Sequence, residues 1–177
     1  YERILSRHNK AWDELWESDI LIDGDPQAQQ DIHSMLYHLY AFFREGNPFG
    51  CSPMGLSGLG YAGHVFWDSE TWMFPVLLLM QPNLAREMLQ YRSERLPMAM
   101  NNAYMHGYKG AMFPWESAGS GQEETSPHAM YPSLEQHVSG DIAVACWQYY
   151  QLTQDKQWLH DIGYPILRST ADFWVSR

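Results

Sequence analysis

The chain has 177 residues, 45% hydrophobic and 18% charged, with a formal net charge of −10 and two cysteines. That length and balance describe one globular unit with a sizeable core, and the acidic field argues against nucleic acid or anionic membrane as partner. Cys51 and Cys146 are too few for a disulfide scaffold, and the longest apolar run, Phe74 to Met80, is far short of the roughly 18–20 residues of a membrane span.

Trp12, Leu15 and Trp16 fit a first short helix within residues 1–24, read as a linker helix leading into a main domain over 25–177. Asp25-Pro26 is an N-cap followed by Pro at N1, and Ile32, Met35, Leu36, Leu39, Tyr40 and Phe43 then form one apolar stripe. A third helix runs from Asp68 or Ser69 to about Met80. Pro82 opens a fourth, carrying Leu84, Met88, Tyr91, Arg92, Leu96, Ala99 and Ala103, with Gly107 as its stop and Pro97 as a kink or division. Ser133-Leu134-Glu135-Gln136 has the form of a capping box, and Val138, Ile142, Ala145, Tyr149 and Leu152 line the helix behind it. Asp155 caps a further helix, and Gly163-Tyr164-Pro165 separates that one from the last. No stretch alternates as a strand, so the fold class is all-α.

Two connections are long, Arg44 to Trp67 and Gly107 to Pro132, whereas the others span a few residues and make successive helices antiparallel. If Pro82 to His106 is one rod, both long loops leave the same end of the molecule. Dividing that rod at Pro97 into two antiparallel helices would part them. Antiparallel helices in series with one decorated end suggest a toroid of helical hairpins.

Both long loops carry the same chemistry. His64-Val65-Phe66-Trp67-Asp68-Ser69-Glu70-Thr71-Trp72 closes the first, and Phe113-Pro114-Trp115-Glu116-Ser117 lies in the second. Flat aromatic faces beside carboxylates suit a ring with apolar C–H faces and hydroxyls at its edge, which describes a sugar. Two readings stand for the Trp67-Asp68 pair: stacking wall and hydroxyl acceptor, or core indole and N-cap. Glu70 reads as a first-turn acid favouring the helix dipole. Trp115-Glu116, inside a loop, has no capping role and favours ligand binding. His137 and Asp141 share one helix face at i,i+4 spacing, as a plain contact or as cleft lining. His64 and Asp68 could ligate a metal only on a helix, and the glycines before them argue against one. Glu123-Glu124 reads as a solvated loop pair. Gly55, Gly58, Gly60 and Gly63 lack the preceding strand of a dinucleotide fingerprint.

Gly-Leu-Ser-Gly-Leu-Gly-Tyr-Ala-Gly-His-Val-Phe-Trp-Asp at 55–68, Gly-Tyr-Lys-Gly-Ala-Met-Phe-Pro-Trp-Glu-Ser at 107–117 and Glu-Gln-His-Val-Ser-Gly-Asp-Ile-Ala at 135–143 together resemble glycoside hydrolase family 65. That family comprises inverting α-glucoside hydrolases and phosphorylases. Ala85-Arg86, Tyr91-Arg92 and Trp147-Gln148-Tyr149-Tyr150 extend the likeness over nearly the whole chain.

The resemblance implies an (α/α)6 barrel of helical hairpins, of which this chain would be the first half. It implies that Trp67 and Asp68 hold the non-reducing glucose in the −1 subsite, with Trp115 and Glu116 on the second loop of the same pocket. His64, His137 and Asp141 join that substrate-binding set, the last two by a looser match. No catalytic residue is expected in this stretch. The general-acid Glu, and the phosphate loop or second carboxylate that selects the nucleophile, are expected beyond residue 177, and a β-sandwich before Tyr1. The chain reads as a piece of a longer polypeptide, and no localisation is readable from it.

The function so implied is an inverting α-glucosidase acting on kojibiose-, trehalose- or maltose-type glucosides, or on glucosyl-galactose on a carrier. Its partners would be the glucoside substrate and the rest of the polypeptide. Ser69-Glu70-Thr71-Trp72-Met73 looks more like the hydrolase branch than the phosphorylase branch. No metal or cofactor is expected, inorganic phosphate being a co-substrate if the phosphorylase reading holds. The alternative from another class is a carbohydrate-binding or scaffold domain without catalysis.

Overall fold

The computed structural model describes residues 1–177 apart from the side chain of Ser133. The capping-box expectation rests on that side chain and lies outside the described residues. Eight helices follow in order: α1 Glu2–Leu15, α2 Pro26–Phe42, α3 Phe74–Met80, α4 Pro82–Glu94, α5 Leu96–Met105, α6 Val138–Thr153, α7 Lys156–Trp158 and α8 Tyr164–Ser176. Among the described residues, β pairing is limited to two isolated bridges, Val65 with Ser117 and Ser117 with Glu123. The all-α expectation is met.

Several termini form as local chemistry dictates. Asp25 accepts from the Ala28 N–H at 3.0 Å ahead of Pro26, and Asp155 accepts from the Trp158 N–H at 2.9 Å. α1 is longer than expected and buries no residue; it is tied down where Trp12 stacks on Tyr37 at 5.1 Å and Gln81 donates to the Leu15 carbonyl at 2.8 Å.

α3 and α7 each join a π-turn, Ser69–Met73 leading into α3 and Leu159–Gly163 leading from α7 into α8. Both wide turns stand just ahead of a proline, Pro75 or Pro165. In a regular α-helix such a ring presses on the carbonyl four residues back and leaves it unpaired; an i→i+5 turn relieves both problems. Gly163 therefore does not separate two helices, as its neighbours Tyr164-Pro165 suggested. It lies within one continuous helical rod, where a Cβ would meet the Trp158 ring at 2.7 Å. The glycine is there for close packing rather than for a break.

α3 and α4 form one antiparallel hairpin around Gln81, and α6 forms another with α7 and α8, the turn made by Gln154 at φ +54°. α4 packs on α6, α6 on α8, and α5 on α8. Leu36, Tyr40, Phe74, Leu77, Leu89, Val138, Ile142 and Ile166 meet in one buried cluster along this row. Each such side chain contributes about 1.5–3 kcal/mol on burial.

The expected rod from Pro82 to His106 is broken at Arg95, with φ −102° and ψ 5°, between α4 and α5. The break does not reverse the chain. A reversal needs a loop of a few residues, whereas here the Arg95 carbonyl at once accepts from Met98 and Ala99, each at 3.1 Å. The ends of the two long loops stay together.

The second loop enters beneath α8. Gly110, at φ +71°, sits where a Cβ would run into the Ser169 carbonyl and the Phe173 amide, and Ala111 donates to Ser169 at 2.8 Å. Gly110→Ala is expected to lower stability by roughly 2–4 kcal/mol, through clash and an adverse φ together. A fall in the thermal midpoint of the protein, without change in its other helix contacts, checks this.

Cys51 and Cys146 are both free and buried. Burial pushes the Cys51 thiol from 9.0 to about 12, and burial, aided by the charge of Glu70, pushes Cys146 up as well. Neither thiol should react with an alkylating reagent at pH 8 until the protein unfolds. The folded state keeps protons that the unfolded chain releases above the ordinary 9.0. This stabilisation is thus complete below that pH and lost as pH rises from 9 towards 12, which denaturant titrations across that range would measure.

Candidate functional site

The two motif loops meet. Val65 donates to the Ser117 carbonyl at 2.7 Å and Ser117 returns the bond to Val65 at 2.9 Å, a short antiparallel pair between the first and second loops. Directly beside it, His64 Nδ1 lies 2.7 Å from Glu116 Oε1. Residues 52 positions apart are thereby joined.

Aromatic rings continue the junction. His137, at the start of α6, presents its ring to both indoles, 5.1 Å from Trp67 and 5.8 Å from Trp115, each T-shaped. Phe66 meets Trp115 at 6.1 Å, Tyr131 meets it at 6.3 Å, and Tyr61 meets Phe66 at 5.3 Å. Such edge-to-face pairs hold rings in a fixed mutual orientation and add about 0.5–1.5 kcal/mol each. His137 donates through Nδ1 to Asp141 Oδ2 at 2.6 Å, so the i,i+4 pair orients the imidazole between the indoles. Tyr61 and Ala62 both adopt left-handed backbone, φ +58° and +52°, just ahead of this cluster. Two such non-glycine residues in a row store strain of about 1–3 kcal/mol each and recur at ligand sites.

Trp67 and Trp115 are half-buried, each with one side in the core and one outward. Asp68 precedes the π-turn at the N-cap position, yet its side chain makes no capping bond. Among the described residues its carboxylate has no hydrogen-bond partner at all, although it is only partly exposed. An ionised carboxylate offers about four acceptor positions, so Asp68 is free to bind hydroxyls. The N-cap reading is set aside.

All seven residues singled out from sequence, His64, Trp67, Asp68, Trp115, Glu116, His137 and Asp141, therefore lie in or beside one cluster. Two neighbouring acids do more than the sequence suggested. Glu70 stands in the first turn as expected, but it is 4% exposed and accepts from Arg92 Nε at 2.7 Å and Nη2 at 2.9 Å. Burial works against the Arg92 charge, but the Glu70 carboxylate more than offsets this and holds the guanidinium above its usual value. Glu123 is not a solvated acid. It accepts from the backbone N–H groups of Trp115 at 2.8 Å and Glu116 at 3.0 Å, and from the Thr125 hydroxyl at 2.7 Å. Glu124, by contrast, is exposed as expected.

Sequence reasoning also missed the supports on α4. Tyr91 places its hydroxyl 2.8 Å from Ser117 Oγ and donates to the Ala118 carbonyl at 2.8 Å, while Arg95 reaches the Pro48 carbonyl at 3.1 Å and covers the Tyr91 ring. One signal was available: Arg92 stands on the apolar stripe with Met88 and Leu96, and a cation there demands a buried partner. Glu123 gave no local signal.

Residues 33–177 match the model of the glycosyl hydrolase family 65 central catalytic domain. A kojibiose hydrolase of Flavobacterium johnsoniae is 59% identical over 99% of this chain, and a protein-glucosylgalactosylhydroxylysine glucosidase of Dictyostelium discoideum is 45% identical over 99% of it. A kojibiose phosphorylase of Thermoanaerobacter brockii is 38% identical over 99% of the chain. The chain spans about a quarter of the length of these relatives, 24–26%. A solved structure from the human microbiome, provisionally named a kojibiose phosphorylase, superposes with a TM-score of 0.91 at 26% identity, over 100% of this chain and 26% of its own. With its helical-hairpin fold and its family match over most of its length, the chain belongs to glycosyl hydrolase family 65, as part of the central catalytic domain.

Proposed function

We propose that this segment forms the −1 glucose-binding wall of an inverting α-glucosidase that cleaves a kojibiose-type α-linked glucoside. The observation that carries the reading is the meeting of both indole–carboxylate motifs at the His137 ring, with the Asp68 carboxylate left unpartnered beside them. In this reading Trp67 and Trp115 lie against the apolar C–H faces of the glucosyl ring. Asp68 accepts from two of its hydroxyls. Glu116, held by His64, and His137, held by Asp141, line the remaining edge.

In an inverting reaction a carboxylic acid protonates the leaving oxygen while the nucleophile enters from the opposite face of the ring. This segment supplies orientation rather than proton transfer, fixing the sugar as positive charge develops at its anomeric carbon. In this reading the proton donor is a carboxylic acid supplied by the rest of the larger polypeptide. Water is the nucleophile in the favoured reading, supported by the greater similarity to relatives named hydrolases than to those named phosphorylases. The second reading, with inorganic phosphate as nucleophile, draws on the same family's phosphorylases and on the solved structure superposed above.

The test uses the intact polypeptide that contains this segment, assayed on a panel of α-glucobioses with and without phosphate. Cleavage of kojibiose that ignores phosphate is the expected result; strict dependence on phosphate establishes the second reading. Bound glucose without any cleavage would reduce the protein to a sugar-binding domain. Asp68→Asn should lower kcat/KM at least about 100-fold, since bonds to a charged acceptor are worth about 1.5–3 kcal/mol each, with an unchanged melting curve. Near-normal turnover removes Asp68 from the site. Trp115→Ala should weaken glucose binding roughly 10-fold by calorimetry, through lost apolar contact; unchanged affinity ends its stacking role.

A further inference from the structure

Behind the first motif lies a buried ion pair that the pocket reading does not use. Arg92 on α4 is 1% exposed, and its guanidinium forks onto Glu70 through Nε and Nη2. The same Nη2 also donates to the Phe66 carbonyl at 3.3 Å. Phe66 and Glu70 flank Trp67-Asp68 in sequence. One nitrogen thus bonds the Phe66 carbonyl just before, and the Glu70 carboxylate just after, Trp67 and Asp68. Glu70 itself stands in the π-turn Ser69–Met73, a wide turn of the kind often found at functional sites.

The pair is a poor device for stability alone. Arg92 Nη1 is buried without a hydrogen-bond partner, and buried ion pairs can commonly be replaced by well-packed apolar side chains without loss of stability. What apolar side chains cannot supply is a planar fork with fixed direction. The charge of Asp141, the partner of His137, also favours the buried guanidinium.

We propose that Arg92 and Glu70 are positioning residues, which aim Trp67 and Asp68 at the glucosyl unit, Arg92 holding the Phe66 carbonyl just before them and the Glu70 carboxylate just after. The proposal rests on the pocket reading above. It acts through backbone direction, with no contact to substrate.

The experiment compares three variants of the intact polypeptide on kojibiose, each with a thermal melt: the double variant Glu70→Met with Arg92→Met, Arg92→Lys, and Asp68→Asn. The double variant should melt near the wild-type midpoint while kcat/KM stays about 10- to 100-fold down, mostly in kcat, as expected for a small misplacement of a binding group. Arg92→Lys keeps the charge but not the fork, and should melt normally with a loss of similar size. A double variant with normal melting and normal turnover overturns the proposal. If that variant does not fold, Arg92→Lys decides: normal turnover overturns the proposal, and so does a melt far below wild type, which would make the pair structural. Asp68→Asn separates the two levels. Wild-type turnover in Asp68→Asn removes the pocket reading and this proposal with it. An inactive Asp68→Asn beside a fully active double variant removes the positioning role alone.

Discussion

The site depends on the end of one helix. In the last turns of α4, Tyr91 holds the second loop through Ser117 and Ala118, Arg92 holds the first through Phe66 and Glu70, and Arg95 reaches back to Pro48. The helix stops there, at Arg95, and the helical spacing of Tyr91, Arg92 and Arg95 points them in different directions around its end. Loops of two dozen residues have no internal ladder to define them, and their backbone groups must be satisfied from outside. α4 supplies that satisfaction to both loops from one place. The meeting of the aromatic–acid motifs is a consequence of this shared anchor.

Charge is distributed around the site with economy. Glu70 faces a buried arginine, Glu116 faces His64, Asp141 faces His137, and Glu123 faces backbone amides. Among the described residues, each of these acids has a protein partner and Asp68 has none. A half-buried carboxylate without a partner is unfavourable for folding, and a protein tolerates it where a ligand completes the shell. The contrast between Asp68 and its four satisfied neighbours is what distinguishes it, more than the bare presence of a carboxylate next to an indole.

Much of this was legible in the sequence, and the reasons are specific. Helices with caps such as Asp25-Pro26 and Asp155, and stripes such as Leu36 with Tyr40, announce themselves through local bonding and spacing. The seven candidate residues could be gathered because indole and carboxylate recur together on two long loops, and because three ordered segments resemble one family. What stayed hidden depends on distant contacts. Glu70 looks like a helix-start acid until Arg92, 22 residues later, is seen to fill the space beneath it. Glu123 looks solvated until its loop folds back onto the Trp115 and Glu116 amides. Gly163-Tyr164-Pro165 looks like a break because a wide turn that absorbs a proline has no simple sequence signature.

Ser117 is the knot between the two halves of the cluster, for it pairs with Val65 across the loops, with Glu123 within its own loop, and with Tyr91 beneath. Loss of Ser117 would release the Val65 pairing and the Tyr91 bond together, so a disturbance at this one residue reaches both loops. Energetic changes made in either motif are then not separable sums, because each alters the reference state in which the other is read. A substitution in one motif is then felt in the other, although some fifty residues of chain lie between them.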